Sequence, residues 1–176
     1  MAYTDMTSAW AYRQLVTWQN LDLHADNSHV VWVELSNPNA SRHENGTGQS
    51  LSATTWTLQT NDTEDFDPNS VMSSSRFSPA RAGMYLVSSE VATTKASIND
   101  RMKRAAIYKN GSVFAYGESA GGEDFYSTLG GSASAITLVE LTESDYLEGY
   151  AWSQEASTMD NSNHGQPTFS VIRLNS

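Results

Sequence analysis

From Leu51 onward, apolar and polar residues alternate in short stretches separated by turn signals, the period-two pattern of half-buried strands. Leu51 to Thr60 places Trp56 and Leu58 on one face and reads as the first strand. Asp67-Pro68-Asn69 is a turn, and Pro79 in Ser78-Pro79-Ala80 denies a ladder hydrogen bond, marking a strand end. Ala82-Gly83 turns the chain into a buried strand at Met84-Tyr85-Leu86-Val87, and Ile98 to Arg101 makes another turn. Arg104 to Lys109 and Val113 to Tyr116 form a hairpin around Asn110-Gly111, a pair suited to two successive positive φ angles. Residues 117 to 131 are glycine-rich and read as an exposed loop carrying Phe125 and Tyr126. Ala133 to Leu141, Asp145 to Ser153 and Thr168 to Leu174 are strands, separated by a turn at Thr142-Glu143-Ser144 and a polar loop from Glu155 to Gln166. This spacing predicts an all-β antiparallel sandwich or barrel, since no strand–helix–strand unit interrupts it.

The start of the chain differs. Thr17 can cap a helix, and Trp18, Leu21, Ala25 and Trp32 fall near one face at helical spacing. One helix is predicted from Trp18 to Leu35, stopped by Asn37-Pro38. The polar stretch 37–50, NPNASRHENGTGQS, reads as a linker between an arm over 1–36 and a domain over 51–176.

Two strands carry more apolar residues than one sandwich can bury. On Ala133–Leu141, Ala133, Ala135, Val139 and Leu141 share one face while Ile136 and Leu138 occupy the other. Met84 and Leu86 against Tyr85 and Val87 show the same doubling. A strand of an isolated sandwich is apolar on one face only, so the doubling predicts a subunit interface, assigned to Tyr85, Val87, Ile136 and Leu138.

Arg76-Phe77, the proline turn, Ala82-Gly83 and Tyr85-x-Val87 occur in order with Ile107-Tyr108-Lys109-Asn110-Gly111, Ile136 to Leu141, Asp145-Tyr146-Leu147-Glu148 and the closing Phe169 to Leu174. Together these features resemble the complement/tumour-necrosis-factor jelly roll across Leu51 to Leu174. The resemblance implies an antiparallel jelly-roll sandwich, and a homotrimer whose axis is the doubled interface. With the acidic lead-in Thr63 to Asp67, the chain looks most like domains of tailed-phage virion proteins. Val16-Thr17, Leu21 to His24 and Asp26-Asn27 are similar to a short N-terminal motif of phage structural proteins. That motif commonly has Asn where Asp22 stands and Arg where Ala25 stands. What the resemblance implies is a virion structural protein assembled in the host cytoplasm. Its arm would dock onto the major capsid protein or another virion protein through Trp10, Trp18, Leu21 and Trp32. Two roles stay open: capsid decoration, and host adhesion through a surface glycan at the tip of a tail or head fibre.

The 176 residues are 39% hydrophobic with five tryptophans, enough for a sizeable core. A net charge of −10 excludes a phosphate-backbone partner, which needs clustered Lys and Arg. There is no cysteine, hence no disulfide framework or thiolate metal site. No run reaches the length of a membrane helix, and the first residues lack the basic and apolar regions of a secretory signal. The Asn-x-Ser/Thr sequons at Asn39, Asn45, Asn61 and Asn110 then read as chance matches.

No enzymatic chemistry is expected. Gly117-Glu118-Ser119-Ala120-Gly121 fits the nucleophile-elbow pattern, with Asp145 or Asp160 and then His164 following in hydrolase order. That chemistry needs a strained strand-to-helix turn above a parallel sheet, and the residues after Gly121 carry no helix signal. His24, His29, His43 and His164 lack zinc-ligand spacing. The acidic stretches Asp62–Asp67 and Glu123-Asp124 could hold calcium but do not match an EF-hand loop, and read as solvated loops. No cofactor fingerprint is present, and Arg101, Lys103 and Arg104 are expected to pair with neighbouring carboxylates.

Overall fold

A computed structural model of the chain describes residues 39–94, 102–120, 131–159 and 166–174. These form thirteen strands, arranged chiefly in two antiparallel sheets. One sheet runs β10 (Ser132–Leu141), β7 (Gly83–Ala92), β13 (Thr168–Arg173), β1 (Ala40–Glu44), β4 (Thr63–Phe66). The other runs β5 (Met72–Ser73), β6 (Arg76–Phe77), β11 (Leu147–Ser153), β8 (Met102–Lys109), β9 (Ser112–Ala120). The short β3 (Thr57–Leu58) joins β11 at Tyr150 and Ala151, beyond the point where β6 pairs with it at Leu147 and Glu148. A two-stranded ribbon of β2 (Ser50–Leu51) and β12 (Ser157–Thr158) completes the set.

The long strands form where alternation is strongest. On β7, Tyr85, Val87, Ser89 and Val91 are buried, and on β10 so are Ala133, Ala135, Val139 and Leu141. They meet Phe77, Ile107, Leu147 and Phe169 in one hydrophobic core. The Phe77 and Tyr85 rings pack edge to face, with centroids 5.7 Å apart, and the Tyr85 hydroxyl donates to the Arg81 carbonyl at 2.6 Å. A buried phenol needs such a partner.

Three expectations change here. The stretch read as a linker contains β1, whose inward positions Ser41 and His43 are buried beside exposed Arg42, with Asn45 buried just after it. Polar inward residues removed the signal that alternation provides elsewhere. The stretch 51–60 holds only the last residue of β2 and the two-residue β3, so β1 takes the place of the expected first strand. Residues 117–120, expected in a loop, continue β9. Gly117 is there because β9 passes β10 closely: a Cβ would lie 1.9 Å from the Ser134 carbonyl oxygen. The predicted helix Trp18–Leu35 lies outside the described residues.

The hairpin at Asn110-Gly111 forms as expected, with φ of 52° and 77°. Asp145 fastens it: the Thr142 amide donates to Oδ2 at 2.8 Å and the Asn110 side chain to Oδ1 at 2.6 Å, while Lys109 Nζ lies 3.1 Å from Oδ2. The Thr142 amide first, then the Asn110 side chain, hold the Asp145 carboxyl well below the usual carboxylate range.

Candidate functional site: an uncovered apolar sheet face

The outward face of the five-stranded sheet presents aliphatic side chains in register. Leu138 on β10 stands opposite Leu86 on β7, which stands opposite Ile172 on β13. These keep 55%, 38% and 45% of their surface exposed. Ile136, two residues along β10, is 64% exposed and opens a second row through Ser88, Ser170 and Arg42 to exposed Phe66 on β4. Leu174, also exposed, donates its amide to the Met84 carbonyl beyond the first row. Isolated exposed apolar residues are ordinary, but a contiguous row across three paired strands is a candidate interaction surface.

Of the four residues expected at the interface, Ile136 and Leu138 lie on this face. Tyr85 and Val87 do not. Both are fully buried between the sheets, so they have no surface left for a partner. In an unbroken apolar run such as Met84 to Val87, composition does not say which alternate positions face inward. Leu86, at the centre of the row, and Ile172 take their place. Ile172 was readable in Phe169-Ser170-Val171-Ile172, where Phe169 and Val171 point into the core and Ile172 out of it. The docking residues Trp10, Trp18, Leu21 and Trp32 lie outside the described residues.

The face is edged by polar groups. Arg42 reaches Asp65 at 3.1 Å and Glu44 at 3.4 Å, and Glu90 accepts a hydrogen bond from Thr168 at 3.3 Å. An apolar centre with a charged rim is the usual anatomy of a protein interface.

The elbow-like serine has no elbow. Ser119 sits within β9, paired in register with Lys103 of β8, and no strand-to-helix turn is present at that position. Asp160 and His164 fall outside the described residues. Lys103 is not on the surface with Arg104: it is buried and donates to the Ser153 hydroxyl at 2.6 Å. Arg104 does pair as expected, with Glu118 at 3.0 Å. In the acidic stretch, Asp67 accepts from the amides of Val71 and Met72, both at 2.9 Å, and Asp62 accepts from Gly46 and Thr47. Their oxygens organise turns.

Searches against protein-family models and against curated proteins find no match. Solved structures do match. The tumour-necrosis-factor protein Eiger from S. frugiperda aligns over 80% of this chain and 95% of its own, with a TM-score of 0.61 at 9% identity. The globular domain of zebrafish complement 1qA protein aligns over 79% and 98%, with a TM-score of 0.56 at 8% identity. Murine APRIL at pH 8.0 gives 77% and 98%, 0.54 and 12%. At these identities the likeness establishes the fold: the chain shares the antiparallel jelly roll of the tumour-necrosis-factor and complement domains.

Proposed function

We propose that this chain is a non-enzymatic, homotrimeric structural protein of a tailed-phage virion. In this reading it decorates or cements the capsid and docks on the major capsid protein or another virion protein through its N-terminal segment. The observation that carries the assembly is the row Leu138–Leu86–Ile172 on a sheet face that the described residues leave exposed. A threefold arrangement covers that face with two further copies of itself. The shared fold supports the same arrangement. The virion role rests on the sequence resemblance, and decoration is favoured over a fibre tip because no shaft-like repeat or heptad stretch separates residues 1–36 from the sandwich.

Docking is assigned to Trp10, Trp18, Leu21 and Trp32. Burying one large apolar side chain is worth about 1.5–3 kcal/mol, and a trimer presents each three times, so avidity makes the attachment slow to reverse. Deleting residues 1–35 tests this. The expected product is a folded trimer absent from particles, while the full chain is present in hundreds of copies per virion, of order the number of capsomer contacts. Normal incorporation of the truncated trimer would move the docking contact to the sandwich, and a few dozen copies or fewer would make the protein a tail or fibre part.

A further inference from the structure

The opposite sheet carries a different surface. On the face away from the core, β11 carries Glu148, Tyr150 and Trp152 and β8 carries Arg104, Ala106 and Tyr108, paired in register as Glu148 with Tyr108, Tyr150 with Ala106, and Trp152 with Arg104; Glu148 and Ala106 are buried beneath their neighbours, and the other four are half-buried. The Tyr108 and Tyr150 rings are stacked, with centroids 3.9 Å apart and planes 27° apart, and Trp56 meets Tyr108 edge-on at 6.5 Å. The Arg76 guanidinium lies 3.9 Å over the Tyr146 ring, and that of Arg104 lies 4.7 Å over the Trp152 ring. Glu148 Oε1 accepts both Arg76 Nε at 3.0 Å and Nη2 at 2.8 Å, and Glu118 accepts from Arg104 Nε at 3.0 Å. All five rings are half-buried. They lie on the outside of the sandwich and take no part in its core.

Cross-strand aromatic pairing stiffens a sheet, and that alone accounts for Tyr108 against Tyr150. It does not account for five rings and two stacked guanidiniums collected on one outward face. We propose that this face is a binding platform for a neutral oligosaccharide. A pyranose ring has an apolar C–H face and a rim of hydroxyls. A cluster of fixed, half-exposed aromatic rings, with Tyr108 stacked on Tyr150 and Trp56 edge-on to Tyr108, offers apolar ring surface to the first, and phenol and guanidinium groups around it match the second. The rings are held by their neighbours, so little side-chain freedom is lost on binding. From Glu148 to Trp152 the strand advances about 13 Å, longer than a single sugar.

Charge selects the ligand class. The cations on this face are matched one to one by Glu148 and Glu118, so the platform itself is close to neutral. The chain as a whole carries −10, which repels sialylated or phosphorylated glycans at low salt. A second copy of the chain is the poorer occupant, because the in-register aliphatic row lies on the other sheet; on this one the exposed Val113, Phe114 and Tyr116 belong to the edge strand β9. The platform is independent of the decoration reading, since a decorating trimer and a fibre tip would both present it.

The test uses the full chain on a printed array of neutral and acidic glycans, followed by titration calorimetry with the best-bound free oligosaccharide. Binding to neutral glycans is expected, weakened about tenfold by Tyr108→Ala and by Trp56→Ala separately, as loss of one stacking ring predicts. Tyr108→Phe, which keeps the ring, should bind within about threefold of the parent and guards against a folding artefact. The proposal is overturned if the parent chain binds no neutral glycan, or binds only acidic ones. It is equally overturned if binding survives both alanine variants unchanged, or if the face captures only peptides or proteins.

Discussion

Replacing Leu138 by aspartate separates assembly from folding. Leu138 keeps 55% of its surface exposed, so covering it at a subunit contact contributes roughly half of a full leucine, about 1 kcal/mol. Leu86, Ile136 and Ile172 contribute on the same scale, and threefold repetition brings the sum to roughly 10 kcal/mol. Forming the proposed trimer incurs the translational and rotational cost of association twice, so the apolar row would leave it little excess. Leu138→Asp removes one leucine per subunit and places an unpaired carboxylate in the contact, costing several kcal/mol in each copy. Light scattering at micromolar concentration should show the mass falling from about three times 19.3 kDa to 19.3 kDa. Circular dichroism should show a folded sandwich, because the side chain faces away from the core. The neighbouring Val139→Asp is the control: Val139 is buried between the sheets, and a charge there should abolish folding. A Leu138→Asp chain that remains trimeric, or that unfolds as Val139→Asp does, would refute the assignment of the two faces.

Two further predictions concern the sandwich itself. Gly149→Ala should destabilise by about 1–3 kcal/mol, the usual cost of overpacking, because its Cβ would lie 2.8 Å from the Phe169 ring and 2.5 Å from Gln59 Oε1; denaturant titration measures it. Asp145 titrates below its unfolded value of about 3.9, so its contribution is complete above about pH 4 and is lost as pH falls toward the folded value. Asp145→Asn should therefore lower Tm at pH 7, and the gap to the parent should shrink steadily below pH 4. A gap that stays constant down to pH 2 would contradict this.

Much of the fold was legible because β7, β10, β11 and β13 each bury alternate residues, and because Asn110-Gly111 accepts positive φ cheaply. What escaped has physical causes. β1 buries Ser41 and His43, and Asn45 follows it buried, so this stretch reads as a polar loop. β4, Thr63–Phe66, is an exposed edge strand with two acidic residues and no buried face to detect. Gly117 looked like the start of a loop but marks the close passage of β9 past β10. Half of the candidate interface was legible: Ile136 and Leu138 stood out against an otherwise regular alternation. Tyr85 and Val87 were assigned to the wrong face because their run is apolar throughout, and only the register with β10 and β13 fixes which way it points. The aromatic platform was hidden for another reason. Its rings come from the stretch before β3, from β8, and from β11 and the residue before it, and only the β11 pairings bring them onto one face.

In the proposed assembly, two more copies of the chain close the uncovered face of the five-stranded sheet. Sedimentation equilibrium of the unmodified protein at micromolar concentration tests it most directly. The account predicts a single species of about three times 19.3 kDa, and a stable monomer of 19.3 kDa would contradict it.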